Sequence, residues 1–173
     1  MKRYDVRGKN PAELFISMLQ DGTREWREEL GKVPRAAMTW RPYKDGYSIG
    51  ALILHIVDVE AYWIEVFAAG KKLSEDEEKE LMSNETDQYR GKWPIPHDWP
   101  LSKYFALQDR VRERSIKTIR KLKPDLVLKR SSGGQKYEVT LNWILHHVVT
   151  HEAYHGGQAV LLKALRAKTA SKA

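Results

Sequence analysis

The stretch TLNWILHHVVTHEAYHGGQAVLL, residues 140–162, decides the fold. Thr140 is a good N-cap and no proline follows it, so a helix is expected over roughly 141–167. At 100° per residue Ile144, Val148, His151, His155, Gln158 and Leu162 fall within about 80° of one another. Both histidines therefore lie in the apolar stripe, facing the core. His155 sits one turn beyond His151, about 6 Å along the axis, which lets two imidazoles share one metal ion.

HEAYH, residues 151–155, also has the His-Glu-x-x-His form of zinc proteases, whose Glu is a general base and whose third ligand commonly comes from further along the chain. Only GGQAVLLKALRAKTASKA follows, without His, Asp or Glu. Gln158 and Leu161 stand where the extended motif has Gly and His. The pattern argues against peptide hydrolysis.

Working outward, Asn10 as cap and Pro11 at the first position open a first helix that runs through Leu14, Phe15, Met18, Leu19, Trp26 and Leu30 to Gly31. Ser48 caps a second, strongly apolar helix ending at Gly70, with Leu52, His55, Val59, Tyr62 and Val66 along one stripe. Residues 71–100 break the pattern as an insertion. It holds a Ser74–Glu77 capping box and then KWPIPHDWP, whose prolines forbid a long helix. Trp93 and Trp99 in that stiff segment are expected to cover one end of the molecule and shape access to it. Ser102 is read as the cap of a third helix over about 103–122, and DLVLKR, residues 125–130, as a short strand. Four amphipathic helices predict an all-α, antiparallel four-helix bundle as a single domain over 1–173, with the short insertion between helices two and three.

The composition, 42% hydrophobic and 31% charged, is that of a soluble globular chain, and no apolar run approaches the roughly 18 residues of a membrane span. MKRYDVRGKNPAELF has no continuous apolar core of a secretory signal, so a cytoplasmic location is the expectation. With no cysteine there is no disulfide, thiolate ligand or cysteine nucleophile, and any metal must be held by His, Asp or Glu. The net charge of +7 is local: residues 101–130 carry ten Lys or Arg against three Asp or Glu. That is ordinary for a solvated helix face, and without a nucleic-acid reading motif it does not point to a nucleic-acid partner.

His55 is the one histidine of the second helix and lies in its apolar stripe. Three imidazoles converging from two core helices need a common partner, because burying them unpaired costs several kcal/mol by order of magnitude. A divalent metal ion on His55, His151 and His155 supplies it. His147, one turn before His151, and Glu152 are candidates to orient a ligand from behind, as is Asp58. His146 points away and His97 lies in the insertion.

YSIGALILHIVDVEAYW, residues 47–63, and TLNWILHHVVTHEAYHGGQAVLL resemble the second and fourth helices of the DinB and YfiT-like superfamily. The order is similar too: an apolar helix with one His, a variable middle, then His-x-x-x-His followed by Gly-Gln. The resemblance covers about residues 10–167. It implies a four-helix bundle with one divalent ion, often nickel or zinc, on His55, His151 and His155. One departure is visible: Gly156 stands where the family usually has Arg.

Several members of that superfamily join thiols such as bacillithiol or mycothiol to electrophiles. The resemblance therefore implies a metal-dependent thiol S-transferase with a small-molecule thiol and an electrophile as partners, Tyr62 or Trp143 holding the latter. The alternative is a non-catalytic metal-binding stress-response protein with a structural ion. Homodimers are common in such bundles.

Overall fold

The computed structural model describes residues 5–132 and 134–170. Within them the chain is mostly helical, with a two-stranded antiparallel hairpin. α1 spans Pro11–Leu30, the Asn10 side chain accepting from the Glu13 N–H and Gly31, at φ 53°, closing the last turn. Both signals act as read: Pro lacks an N–H that the first turn would leave unpaired, and Gly takes a positive φ at little cost. α2, Arg35–Met38, is a single turn after Pro34.

α3, Ile49–Glu60, starts at Ser48, whose hydroxyl accepts from the Ala51 N–H at 3.3 Å, and buries every residue from Ile49 to Val57. The same helix then continues as π-helix over Ala61–Ala68, the Ala69 N–H reaching the Ile64 carbonyl five residues back. The wheel drawn at 100° per residue fails there, because π turns are wider. Tyr62 is left exposed and Val66 half-buried, while Ile64 and Phe67 enter the core.

α4, Glu75–Leu81, carries the expected capping box of Ser74 and Glu77. A 3-10 turn at Gln88–Arg90 leads into the proline segment, whose Pro94 and Pro96 are buried. α5, Leu101–Ile119, begins ahead of the expected Ser102 cap. Pro100 takes the cap position, and its carbonyl accepts the Lys103 N–H at 3.0 Å, so no side-chain cap is needed.

The strand read in DLVLKR is β1, Val127–Ser132, and it forms one arm of a hairpin with β2, Gln135–Thr140, in the register Val127↔Thr140 to Ser132↔Gln135, a small addition to a mostly helical chain. Sequence periodicity could see β1 but not its partner, because only Val139 of QKYEVT is buried. Val139 packs with Phe67, Ile144 and Leu128, which fixes the hairpin to the end of the π-helical segment. α6, Leu141–Ala170, starts where expected, Thr140 Oγ1 accepting from the Trp143 N–H, and runs three residues further than 167. It packs on α1 and α3, and α5 packs on α3. Trp26, Leu30, Leu52, Ile53, Tyr104, Leu107 and Leu162 form the main core between them. Among the described residues no helix is long and apolar enough to cross a membrane.

Candidate metal centre

The α3–α6 contact sets His55 against His151 and His155. Ring centroids are separated by 4.7 Å for His55–His151, 4.9 Å for His55–His155 and 4.4 Å for His151–His155. One nitrogen from each ring lies within 4.8 Å of the others. His55 Nε2 and His151 Nε2 are 3.1 Å apart. Two nitrogens each about 2.05 Å from one ion, at a tetrahedral angle, would be about 3.3 Å apart. His55 Nδ1 is buried without a hydrogen-bond partner, so protein hydrogen bonds do not account for this cluster. Three imidazoles at these separations could hold a metal ion.

Their electrostatics favour ligation. Burial, and then the neighbouring His155, push His55 down to about 4, with the Gln88 side chain acting the other way. Burial followed by His155, His55 and His147 lowers His151, and burial lowers His155. All three rings are therefore neutral at neutral pH, the form that binds metal. His155 Nδ1 lies 2.8 Å from Gln158 Oε1. With the amide oxygen accepting, Nδ1 carries the proton and Nε2 presents its lone pair, the arrangement by which an outer partner orients a ligand. The sequence placed Gln158 on the inward stripe but gave it no role; its i+3 spacing from His155 is the signal that identifies it.

The residues expected to orient the ligands behave otherwise. Glu152 does not touch an imidazole. It is buried, its Oε1 accepting from Thr23 Oγ1 (2.6 Å), Trp26 Nε1 (2.9 Å) and Gln108 Nε2 (2.7 Å), and its Oε2 from Arg112 Nη2 (2.6 Å). Arg112 also bonds both oxygens of Glu60 at 2.8 Å. Burial alone would lower Arg112, but the charges of Glu60 and Glu152 outweigh it and hold the guanidinium above its ordinary value. This buried network ties α1, α3, α5 and α6 together, and it removes the Glu of HEAYH from any role as a general base. Its signal in the sequence is a charged residue on the inward face of α5, beside Leu107, Val111 and Ser115.

His147 stacks on Trp143 at 5.0 Å and meets Trp63 edge-on at 5.1 Å, with its ring 5.7 Å from His151. It borders the cluster without a hydrogen bond to it. Asp58 accepts from Ser83 at 2.5 Å, and burial raises its pKa against that bond. His146 is exposed, and His97 faces the Glu80 carbonyl at 3.0 Å, stacked on Trp99. The two insertion tryptophans thus part: Trp99 packs with Tyr104, while Trp93 lies edge-on to His55 at 5.3 Å. Tyr62 and Trp143 are exposed on the far side of His147 and Trp63.

Two surface cavities reach the cluster. One of about 450 Å³ ends at His155 and Gln158, the other of about 530 Å³ at His55, and Gln88 and Arg90 border both. Gly156 faces the other way: a Cβ there would lie 2.6 Å from Trp26 Cγ, so this position looks into the core against α1.

No curated protein matches the chain. The family model of the DinB superfamily does, over residues 18–159. That span runs from α1 through α3 and the histidine-bearing part of α6, and on it the chain belongs to the DinB superfamily.

Proposed function

We propose that His55, His151 and His155 hold one divalent transition-metal ion, nickel or zinc, and that the protein is a metal-dependent S-transferase joining a low-molecular-weight thiol to an electrophile in the cytoplasm. The four long helices are taken as one antiparallel four-helix bundle and a single domain. The observation that carries the reading is an incomplete ligand set: among the described residues no further His, Cys, Asp or Glu joins the three imidazoles, and two cavities run to them. Structural zinc sites are normally closed by four protein ligands, whereas catalytic ones keep a position for water or substrate.

An ion bound there would lower the pKa of a coordinated thiol, and the thiolate is the nucleophile. The chain's own residues do the rest. Three neutral imidazoles bind without releasing protons of their own, and Gln158 fixes the tautomer of His155. Trp93 shields one edge of the cluster from water. Glu152 is turned away from the imidazoles to Arg112, so the thiol proton passes to water in the open cavities.

Metal content of untagged protein, followed by thiol titration of a cobalt- or nickel-loaded form, tests this. A spectrum that shifts with thiol, together with conjugation to a halonitrobenzene, supports the transferase. A spectrum unchanged at millimolar thiol leaves only a metal-binding protein with a structural ion.

A further inference from the structure

The cavity of about 450 Å³ that ends at His155 is walled by four aromatic rings, Tyr43, Tyr47, Trp93 and Tyr154. Its volume falls within the roughly 300–1,000 Å³ of small-molecule sites. The rings are arranged rather than scattered. Tyr47 meets Trp93 edge-on at 5.2 Å, Trp93 lies 6.1 Å from His155, and Tyr154 meets His155 edge-on at 4.9 Å. Tyr43, Tyr47 and Tyr154 thus face one space.

Tyr47 and Trp93 lie against the main core, but core packing does not explain Tyr43 and Tyr154. Tyr43 is 61% exposed and Tyr154 65% exposed, in contrast to His155 at the inner end of the same cavity, which is buried at 2%. Tyr43 is also held in place by its backbone. The Gly46 N–H closes a turn on the Tyr43 carbonyl at 3.1 Å, and a Cβ at Gly46 would lie 2.9 Å from the Tyr43 ring. A side chain at Gly46 would push the Tyr43 ring out of its place over the turn. Asp45 and Gln88 on the lining offer an acceptor and an amide to a polar substituent.

We propose that this cavity binds the ring of a planar aromatic molecule carrying a hydrogen-bonding substituent, and that aromatic compounds are the class of electrophile the site takes. Aromatic rings prefer edge-to-face and offset contacts with one another, which a saturated ring of the same size cannot reproduce. The assignment of this ligand as the electrophile rests on the S-transferase reading, but binding of the ring does not.

Equilibrium dialysis of 2-naphthol and of its saturated counterpart decahydro-2-naphthol, against both metal-loaded and metal-stripped protein, tests it. The aromatic probe should bind at least about tenfold more tightly. Tyr43→Leu, Tyr154→Leu and Gly46→Ala should each weaken it by about three- to tenfold, the worth of one aromatic contact. Tyr89→Leu should not, since Tyr89 is 93% exposed and lines the other cavity. Equal affinity for the two probes, or equal loss in the Tyr89 variant, overturns the proposal. Aromatic selectivity without any thiol conjugation would retain the binding site and reject the transferase alone.

Discussion

Arg112 Nη2 lies 2.6 Å from Glu152 Oε2, so the acid next to His151 is turned away from the imidazoles and into a buried ion pair. Glu60, five residues after His55, shares the same guanidinium. The two helices that carry the histidines are thus clamped to each other through α5. Breaking a buried pair by removing one partner costs about 3–5 kcal/mol, because the other charge stays buried. Arg112→Met strands two carboxylates and should lower the unfolding free energy by about that much in urea. Adding Glu60→Gln and Glu152→Gln should recover part of the loss. An Arg112→Met protein as stable as the parent would mean that the clamp contributes nothing.

Trp26 accounts for a glycine at position 156. Alanine is favoured over glycine inside a helix by about 1 kcal/mol, yet here its Cβ would collide with the Trp26 ring. Overpacking of a core costs about 1–3 kcal/mol. Gly156→Ala should therefore be destabilising in the parent but neutral or stabilising when Trp26→Ala has emptied the space. The same penalty in both backgrounds would show that Trp26 is not the obstacle.

How much of this was legible depends on where each residue sits. His55, His151 and His155 stand at inward positions of long helices, where a period near 3.6 survives in the sequence, so their convergence could be read. The direction of Glu152 could not, because the helix wheel gives a bearing but not the neighbour found there. That neighbour is Arg112, on a helix the chain reaches only after α4 and the proline segment. The π-helical run from Ala61 breaks the wheel without any proline or glycine to announce it. Trp93 was expected near the access route from its stiff surroundings, but a loop has no period from which to tell it from Trp99.

Lowered histidine pKa values make the metal-free protein sensitive to acid. Histidine in the unfolded chain titrates near 6.5, whereas folded His55 titrates at about 4. Between those values the unfolded state binds more protons, so stability is fully present above about pH 6.5 and falls as the pH drops toward 4. His55 alone contributes on the order of 3 kcal/mol, and His151 and His155 act in the same direction. Urea midpoints of the metal-free protein should decline across this window, and less steeply in a His55→Leu variant. Parallel profiles would place the acid sensitivity elsewhere.

Metal stoichiometry separates the three inward histidines from the others. Alanine at His55, His151 or His155 should each abolish one-to-one binding. His97→Ala should leave it intact, because His97 is turned to the Glu80 carbonyl. Retention of the metal after loss of His55 would dissolve the cluster as a single site.

Gln158 offers the finest test, because it touches a ligand and not the ion. Its Oε1 lies 2.8 Å from His155 Nδ1 and is half-buried on the cavity wall. Outer partners of this kind are worth about 10- to 100-fold in metal affinity. Gln158→Leu keeps similar bulk but cannot accept the imidazole proton, so His155 is free to rotate and to change tautomer. Affinity should fall by that factor while unfolding free energy stays within about 1 kcal/mol, since a half-exposed side chain supplies little of the core. Gln158→Glu restores an acceptor at the same distance and should recover most of the affinity. If leucine and glutamate variants bind metal equally well, the Gln158–His155 contact is packing, and the tautomer of His155 is set by the metal alone.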